Sequence, residues 1–148
     1  MQTQSPQDQV KQIIASAELN SAEKFKKIKA IIKAIKQVPV TAGLTGGDIY
    51  PNVIKTVYPY TVLKYGIMTL CDLLTKQQCL LLAKKAATKA AAKAKANSSV
   101  FSLESSLELY GNTPLMALTA WFALPTLKET DMELVLEMAL EVYQELKK

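Results

Sequence analysis

A chain of 148 residues, 49% hydrophobic, can bury one good core and lies near the usual size of a single domain, which is the domain organisation expected here. It contains no histidine, which removes the commonest general acid/base, the commonest metal ligand and the usual pH switch together. All eighteen basic residues are lysines, so forked guanidinium recognition of guanine or phosphate is excluded and only diffuse, salt-sensitive attraction remains.

The charge is unevenly placed. Residues 1–97 carry fifteen lysines against five acids, a net +10, and residues 98–148 carry three against eight, a net −5, which together give the overall +5. Opposite signs favour packing of the two parts on each other or pairing between copies.

Residues 1–4 are expected to be disordered. Ser5 followed by Pro6 is an N-cap with proline at the first helical position, and Val10, Ile13, Ile14 and Ala17 then recur at helical spacing. This predicts a short amphipathic helix ending near Leu19. Asn20 and Glu23 have capping-box spacing and open a second helix, with Phe25, Ile28, Ile31, Ile32, Ile35 and Val38 on one face and Lys26, Lys29, Lys33 and Lys36 opposite. A solvated outer face is the plain reading of that lysine stripe; phosphate or an anionic membrane surface is the functional one.

Val38-Pro39-Val40 ends the helix, and residues 39–48, with Gly43, Gly46 and Gly47, form a loop. It lacks the Gly-Lys-Ser/Thr ending of a phosphate-binding loop. Asp48 is expected to cap a short helix through Tyr58, with Pro59 interrupting it. Residues 53–62 are rich in strand formers but have no partner strand, so helix is preferred. Tyr50, Tyr58, Tyr60 and Tyr65 cluster near Lys55 and Lys64, as aromatics do both at core edges and on base-stacking surfaces.

From Tyr60 to Ala96 the chain runs without proline, and Leu63, Ile67, Leu70 and Leu74 share one helical face. Thr75 and Gln78 repeat the capping-box spacing, dividing the stretch into helices near 59–74 and 76–96. In the second, Cys79, Ala83, Ala86, Ala87, Ala90 and Ala94 form a small-residue seam, with Lys85, Lys89 and Lys93 on the other side. On one straight helix Cys71 and Cys79 would lie roughly 12 Å apart, beyond disulfide reach. A break between them would make a bridge possible. A buried, inert, reduced pair is the simpler expectation.

Ser102 to Tyr110 is a short helix stopped by Gly111, and Thr113-Pro114 starts another. Leu115, Met116, Leu118, Trp121, Phe122 and Leu124 surround that helix, which predicts burial in the core or in an interface. Thr130 and Glu133 are expected to open the last helix, with Val135, Met138, Ala139, Val142 and Leu146 inward and Leu136, Leu140 and Tyr143 widening the apolar arc. Glu133, Glu137, Glu141 and Glu145 make an acidic stripe. Without histidine it does not have the Glu-x-x-His pattern of a di-iron bundle, and a solvated or lysine-paired face is expected.

The fold class is therefore all-α, a bundle of about six to eight helices with a long central helix or helix pair near residues 59–96. No known family is suggested by these motifs. No convergent nucleophile or acid/base set is visible, so a non-enzymatic helical interaction or adaptor protein is expected, without metal or organic cofactor. Its partner is another protein, and self-association as a homodimer follows from the excess of apolar helix surface, with Leu115, Leu118, Trp121, Phe122, Leu136, Leu140 and Tyr143 as candidate interface. The alternative is sequence-nonspecific contact with nucleic-acid phosphates through Lys26, Lys29, Lys33, Lys36, Lys84, Lys85, Lys89 and Lys93. No secretory signal or 18-residue apolar span is read, which places the protein in the cytoplasm.

Overall fold

A computed structural model describes residues 5–37 and 49–147, the side chains of 49–58 excepted. Among these residues the chain is all-helical: α1 (Pro6–Ala15), α2 (Ser21–Lys36), α3 (Ile49–Asp72), α4 (Lys76–Lys93), α5 (Val100–Tyr110), α6 (Pro114–Phe122) and α7 (Glu129–Leu146). Residues 1–4 and the expected glycine loop at 39–48 lie outside the described residues, Asp48 included.

Local chemistry sets several boundaries. The Ser5 hydroxyl accepts from the Asp8 amide at 3.2 Å, with Pro6 in the first turn. Asn20 with Glu23, and Thr75 with Gln78, form reciprocal capping boxes, each side chain serving the other residue's backbone amide. Three expectations fail. α1 ends at Ala15 and not near Leu19. Pro59 does not divide the chain, because α3 runs through it from Ile49 to Asp72. Proline removes one backbone donor and strains the turn before it, yet packing of the long apolar segment that follows holds the helix together. Thr130 does not cap α7 either: the helix begins at Glu129, Lys128 caps it without a side-chain hydrogen bond, and Asp131 in its first turn is committed elsewhere.

The centre of the bundle is α7. It packs against α4, α3 and α2, while α1 lies on α3 and α2, and α5 lies against α4 and α6. Met132, Val135, Leu136, Met138, Ala139, Leu140, Val142 and Tyr143 are all buried, so the wide apolar arc serves contacts with three neighbours. The alanine seam of α4 is buried at Ala83, Ala86, Ala87 and Ala90 beside Cys79 and Leu82, while Ala94, also expected in it, is the half-buried C-cap after Lys93. Small side chains let two helix backbones approach closely along α4 and α7.

Opposite charges meet inside one chain. Lys36 of α2 pairs with Glu129, Lys29 with Glu133 at 3.5 Å, and Lys89 of α4 with Glu141 and Glu145 at 3.8 and 3.4 Å. The acidic stripe of α7 is thus flanked by lysines on both sides. Each exposed pair contributes about 0–1 kcal/mol, so the pairs orient helices that apolar burial holds.

Gly66 sits where α3 meets both α7 and α1. A Cβ there would lie 3.3 Å from Leu136 Cδ1 and 3.6 Å from Val10 Cγ1, side chains that are themselves fully buried. Replacing Gly66 with valine should lower stability by about 1–3 kcal/mol through overpacking, and chemical denaturation should show a lower midpoint. An unchanged midpoint would mean that α1 and α7 can move apart freely.

Candidate functional site at the α6 ridge

The site begins with a tight turn. Gly111 ends α5 at φ +55°, a conformation side chains disfavour, and its amide bonds the Leu107 carbonyl at 3.2 Å. Thr113 then donates its hydroxyl to the Tyr110 carbonyl at 2.7 Å, and Pro114 enters the first turn of α6. Thr113 therefore stabilises the turn and does not cap the helix.

α6, expected to be buried in the core or in an interface, turns one side to the core and the other to solvent. Pro114, Ala117, Leu118 and Trp121 face the core, whereas Leu115 is 43% exposed and Met116 55%. The indole helps fix that rotation. Trp121 Nε1 donates to the Ser99 carbonyl at 2.8 Å, and the ring is wholly buried, in a short helix whose only polar side chain is the exposed Thr119.

A buried carboxylate supports that anchor. Asp131 accepts the hydroxyls of Ser98 at 2.8 Å and Ser99 at 2.7 Å and the Ser99 amide at 3.2 Å, tying the start of α7 to the start of α5. Burial alone would raise the Asp131 pKa, but the hydrogen bonds from Ser99 and Ser98, with Lys128 nearby, hold it below the ordinary value. The chain Asp131, Ser99, Trp121 thus links three helices.

Leu115 and Met116 form a ridge between two clefts. One, of about 480 Å³, is lined by Cys71, Asp72, Leu74, Lys76 and Cys79 of the α3–α4 corner and by Thr113, Pro114, Leu115 and Met116. The other, of about 420 Å³, is lined by Tyr110, Leu115, Met116, Thr119, Ala120 and Ala123. Leu109, 79% exposed, lies on the same α5–α6 hairpin.

Inside the first cleft lie both cysteines. α3 ends at Asp72 and α4 starts at Lys76, so the chain reverses between them and Cys71 and Cys79 line the same hollow. Interaction with Cys79, burial and the negative charges of Cys79 and Asp72 push the Cys71 thiol far up, and interaction with Cys71 holds Cys79 below its usual value against burial and Asp72. The straight-helix separation expected for the pair does not apply.

The predicted interface residues divide in two. Leu118, Trp121, Leu136, Leu140 and Tyr143 are buried within the chain itself and are not available as a surface. Leu115 is exposed, and Phe122 is half-buried with Lys64 Nζ 5.7 Å from its ring centre. Among the predicted phosphate contacts, Lys29, Lys36 and Lys89 are engaged by α7 carboxylates, while Lys26, Lys33, Lys84, Lys85 and Lys93 are exposed and form no ion pair among the described residues. Tyr60 and Tyr65 pack on the core edge, and the side chains of Tyr50, Lys55 and Tyr58 lie outside the described residues.

One lysine escaped the sequence reading. Lys24 is 8% exposed and donates to the Ile14 carbonyl at 2.7 Å, with its ammonium 5.2 Å from the Tyr143 ring centre; burial lowers its pKa. It closes the C-terminal end of α1, where a cation is favoured. The signal was its spacing, since Lys24, Ile28, Ile32 and Ile35 share one helical face.

No group of three or more metal-ligating side chains occurs among the described residues, and none of their helices is long and apolar enough to cross a membrane. The chain matches no protein-family model, no curated protein and no solved structure.

Because the Asp131 pKa is lowered on folding, its contribution is complete above the ordinary aspartate value and is lost as the pH falls through the lower folded value. Asp131→Asn should cost about 1–3 kcal/mol at neutral pH, and the gap from wild type should narrow below about pH 4. Denaturation monitored by Trp121 fluorescence at several pH values checks both. A pH-independent gap would mean that the carboxylate's charge plays no part.

Proposed function

We propose that the protein is a non-enzymatic helical interaction protein that assembles through the α6 ridge, with a second copy of the chain as its occupant. The observation that carries this reading is the ridge and its flanking clefts: two exposed apolar side chains, Leu115 and Met116, stand between apolar-walled hollows of about 480 and 420 Å³. A ridge beside a groove is complementary to its own copy under a two-fold rotation, which places each ridge in the other chain's cleft. Methionine suits such a contact because its flexible thioether fits irregular hollows. The apolar excess inferred from the sequence is thereby assigned to the outer face of α6, while Trp121 serves as the internal anchor that presents it.

The test is the mass in solution by light scattering or sedimentation over a dilution series. Wild type should approach twice the monomer mass in the micromolar range. Leu115→Glu and Met116→Glu should weaken the dimer about thirtyfold or more, as expected for loss of a central apolar anchor worth about 2 kcal/mol, while retaining the helical circular dichroism spectrum. A wild type that stays monomeric at high micromolar concentration overturns the reading.

A second reading is favoured by one observation. Lys84, Lys85 and Lys93 of α4 are exposed and have no ion-pair partner among the described residues. Nucleic-acid phosphates could engage them without sequence preference. In that case the logarithm of affinity for mixed-sequence DNA should fall with the logarithm of salt at a slope of about −3, roughly −0.9 per contact. Replacing the three lysines by glutamine should flatten the slope. Absence of binding near physiological salt would remove this reading and leave the ridge untouched.

A further inference from the structure

The cleft beside the ridge contains the chain's only two sulfhydryl groups, and the dimer reading makes no use of them. Cys71 occupies the last turn of α3, and Cys79 the first turn of α4, where its amide bonds the Thr75 carbonyl at 2.8 Å. Cys71 is 5% exposed and Cys79 4%, yet both line the cleft of about 480 Å³. The two residues face one cleft across a corner that only Leu73, Leu74 and Thr75 connect. At such a corner each cysteine sits at a helix end, where rotamer changes and small backbone shifts are easier than in mid-helix.

We propose that Cys71 and Cys79 form a thiol–disulfide exchange site that takes a small organic disulfide into the cleft, with Cys79 as the attacking sulfur and Cys71 as the resolving one.

The assignment of roles follows from the helix ends. Cys79 lies in the first turn of α4, where the helix dipole favours an anion, whereas Cys71 lies in the last turn of α3, where it disfavours one. Lys76 on the cleft wall adds a cation, whereas Asp72 on the same wall opposes it. The Cys79 thiolate attacks one sulfur of the disulfide, forming a mixed disulfide and releasing the first thiolate. The Cys71 thiol gives its proton to that thiolate and attacks the Cys79 sulfur, which breaks the mixed bond and releases the second thiolate. That thiolate takes up the proton lost when Cys79 ionised. In sum, the two protein thiols are oxidised by two electrons to one internal disulfide, and the small disulfide is reduced to two thiols.

The closing bond needs the sulfurs to approach to about 2.05 Å, and the two cysteines already line one cleft across a three-residue corner. The apolar walls from Leu74, Pro114, Leu115 and Met116 would seat the organic part of the disulfide.

The experiment equilibrates the full chain with mixtures of reduced and oxidised glutathione, quenches with acid and reads intact mass and peptide maps. Wild type should lose two hydrogens and yield a Cys71–Cys79 linked peptide. The ratio of linked to free protein should be about tenfold or more above that of the chain equilibrated in denaturant, since only the folded chain holds the sulfurs together. Cys71→Ser should accumulate glutathione on Cys79, whereas Cys79→Ser should leave Cys71 largely unmodified under the same conditions; circular dichroism confirms that each variant is folded. A chain that keeps both thiols free at every ratio, or that links them no better folded than denatured, in Leu115→Glu as in wild type, overturns the proposal without reference to either cysteine variant. Adduct trapped on Cys71 in preference to Cys79 overturns the assignment of roles. The same equilibration of Leu115→Glu, which does not seat its ridge in a second copy's cleft, keeps failure of this proposal distinct from shielding of the thiols in a dimer; thiols that stay free in that variant as well overturn it.

Discussion

Burial of the α7 helix on three sides is the constraint on which the bundle depends. Eight of its apolar side chains, from Met132 to Tyr143, are withdrawn from water, and each full burial of a large apolar group is worth about 1.5–3 kcal/mol before conformational entropy is charged against it. α2, α3 and α4 all reach the core by packing on this one element. The long stretch from α3 to α4 is therefore a wall of the structure, and the C-terminal helix is its axis. Gly66 allows the α3 backbone to lie against Leu136 and Val10.

Polar groups refine what burial establishes. Asp131 joins two helix starts and, through Ser99, orients the indole of Trp121. Lys24 fills the corresponding role at the end of α1. Both are charged groups in the interior with specific oxygen or nitrogen partners, and both fix directions that an apolar core alone would leave free. The surface pairs of Lys29, Lys36 and Lys89 with α7 are weaker, but they use up part of the basic face that suggested nucleic acid. Their presence shifts weight toward an apolar contact and away from a uniformly cationic one.

The α6 ridge and the thiol pair share a cleft because two chain reversals occur at the same end of the bundle. The α3–α4 corner brings Cys71 and Cys79 together, and the α5–α6 turn lays Pro114, Leu115 and Met116 across them. Chemical change at the sulfurs and occupation of the ridge would therefore act on adjoining surfaces, which makes the oxidation state of the pair a necessary control in any measurement of association.

Much of the architecture is determined by the sequence itself, because helix starts and apolar faces are written in local spacing. Ser5-Pro6, Asn20 with Glu23, and Thr75 with Gln78 act over three residues and need no tertiary context. The alanine seam and the broad face of α7 follow from the same 3.6-residue period. Even the separation of the two cysteines onto different helices was legible, since the Thr75–Gln78 cap falls between them. Only the tertiary structure could decide the rest. Pro59 stays inside a helix because packing outweighs a local penalty, and Asp131 turns away from its own helix to bond Ser98 and Ser99, 33 and 32 residues earlier. α6 has only Thr119 as a polar side chain, so its rotation also draws on contacts from far along the chain, among them the hydrogen bond from Trp121 to a carbonyl 22 residues away. Local spacing fixes where a helix lies along the chain; which side it shows is a property of its neighbours.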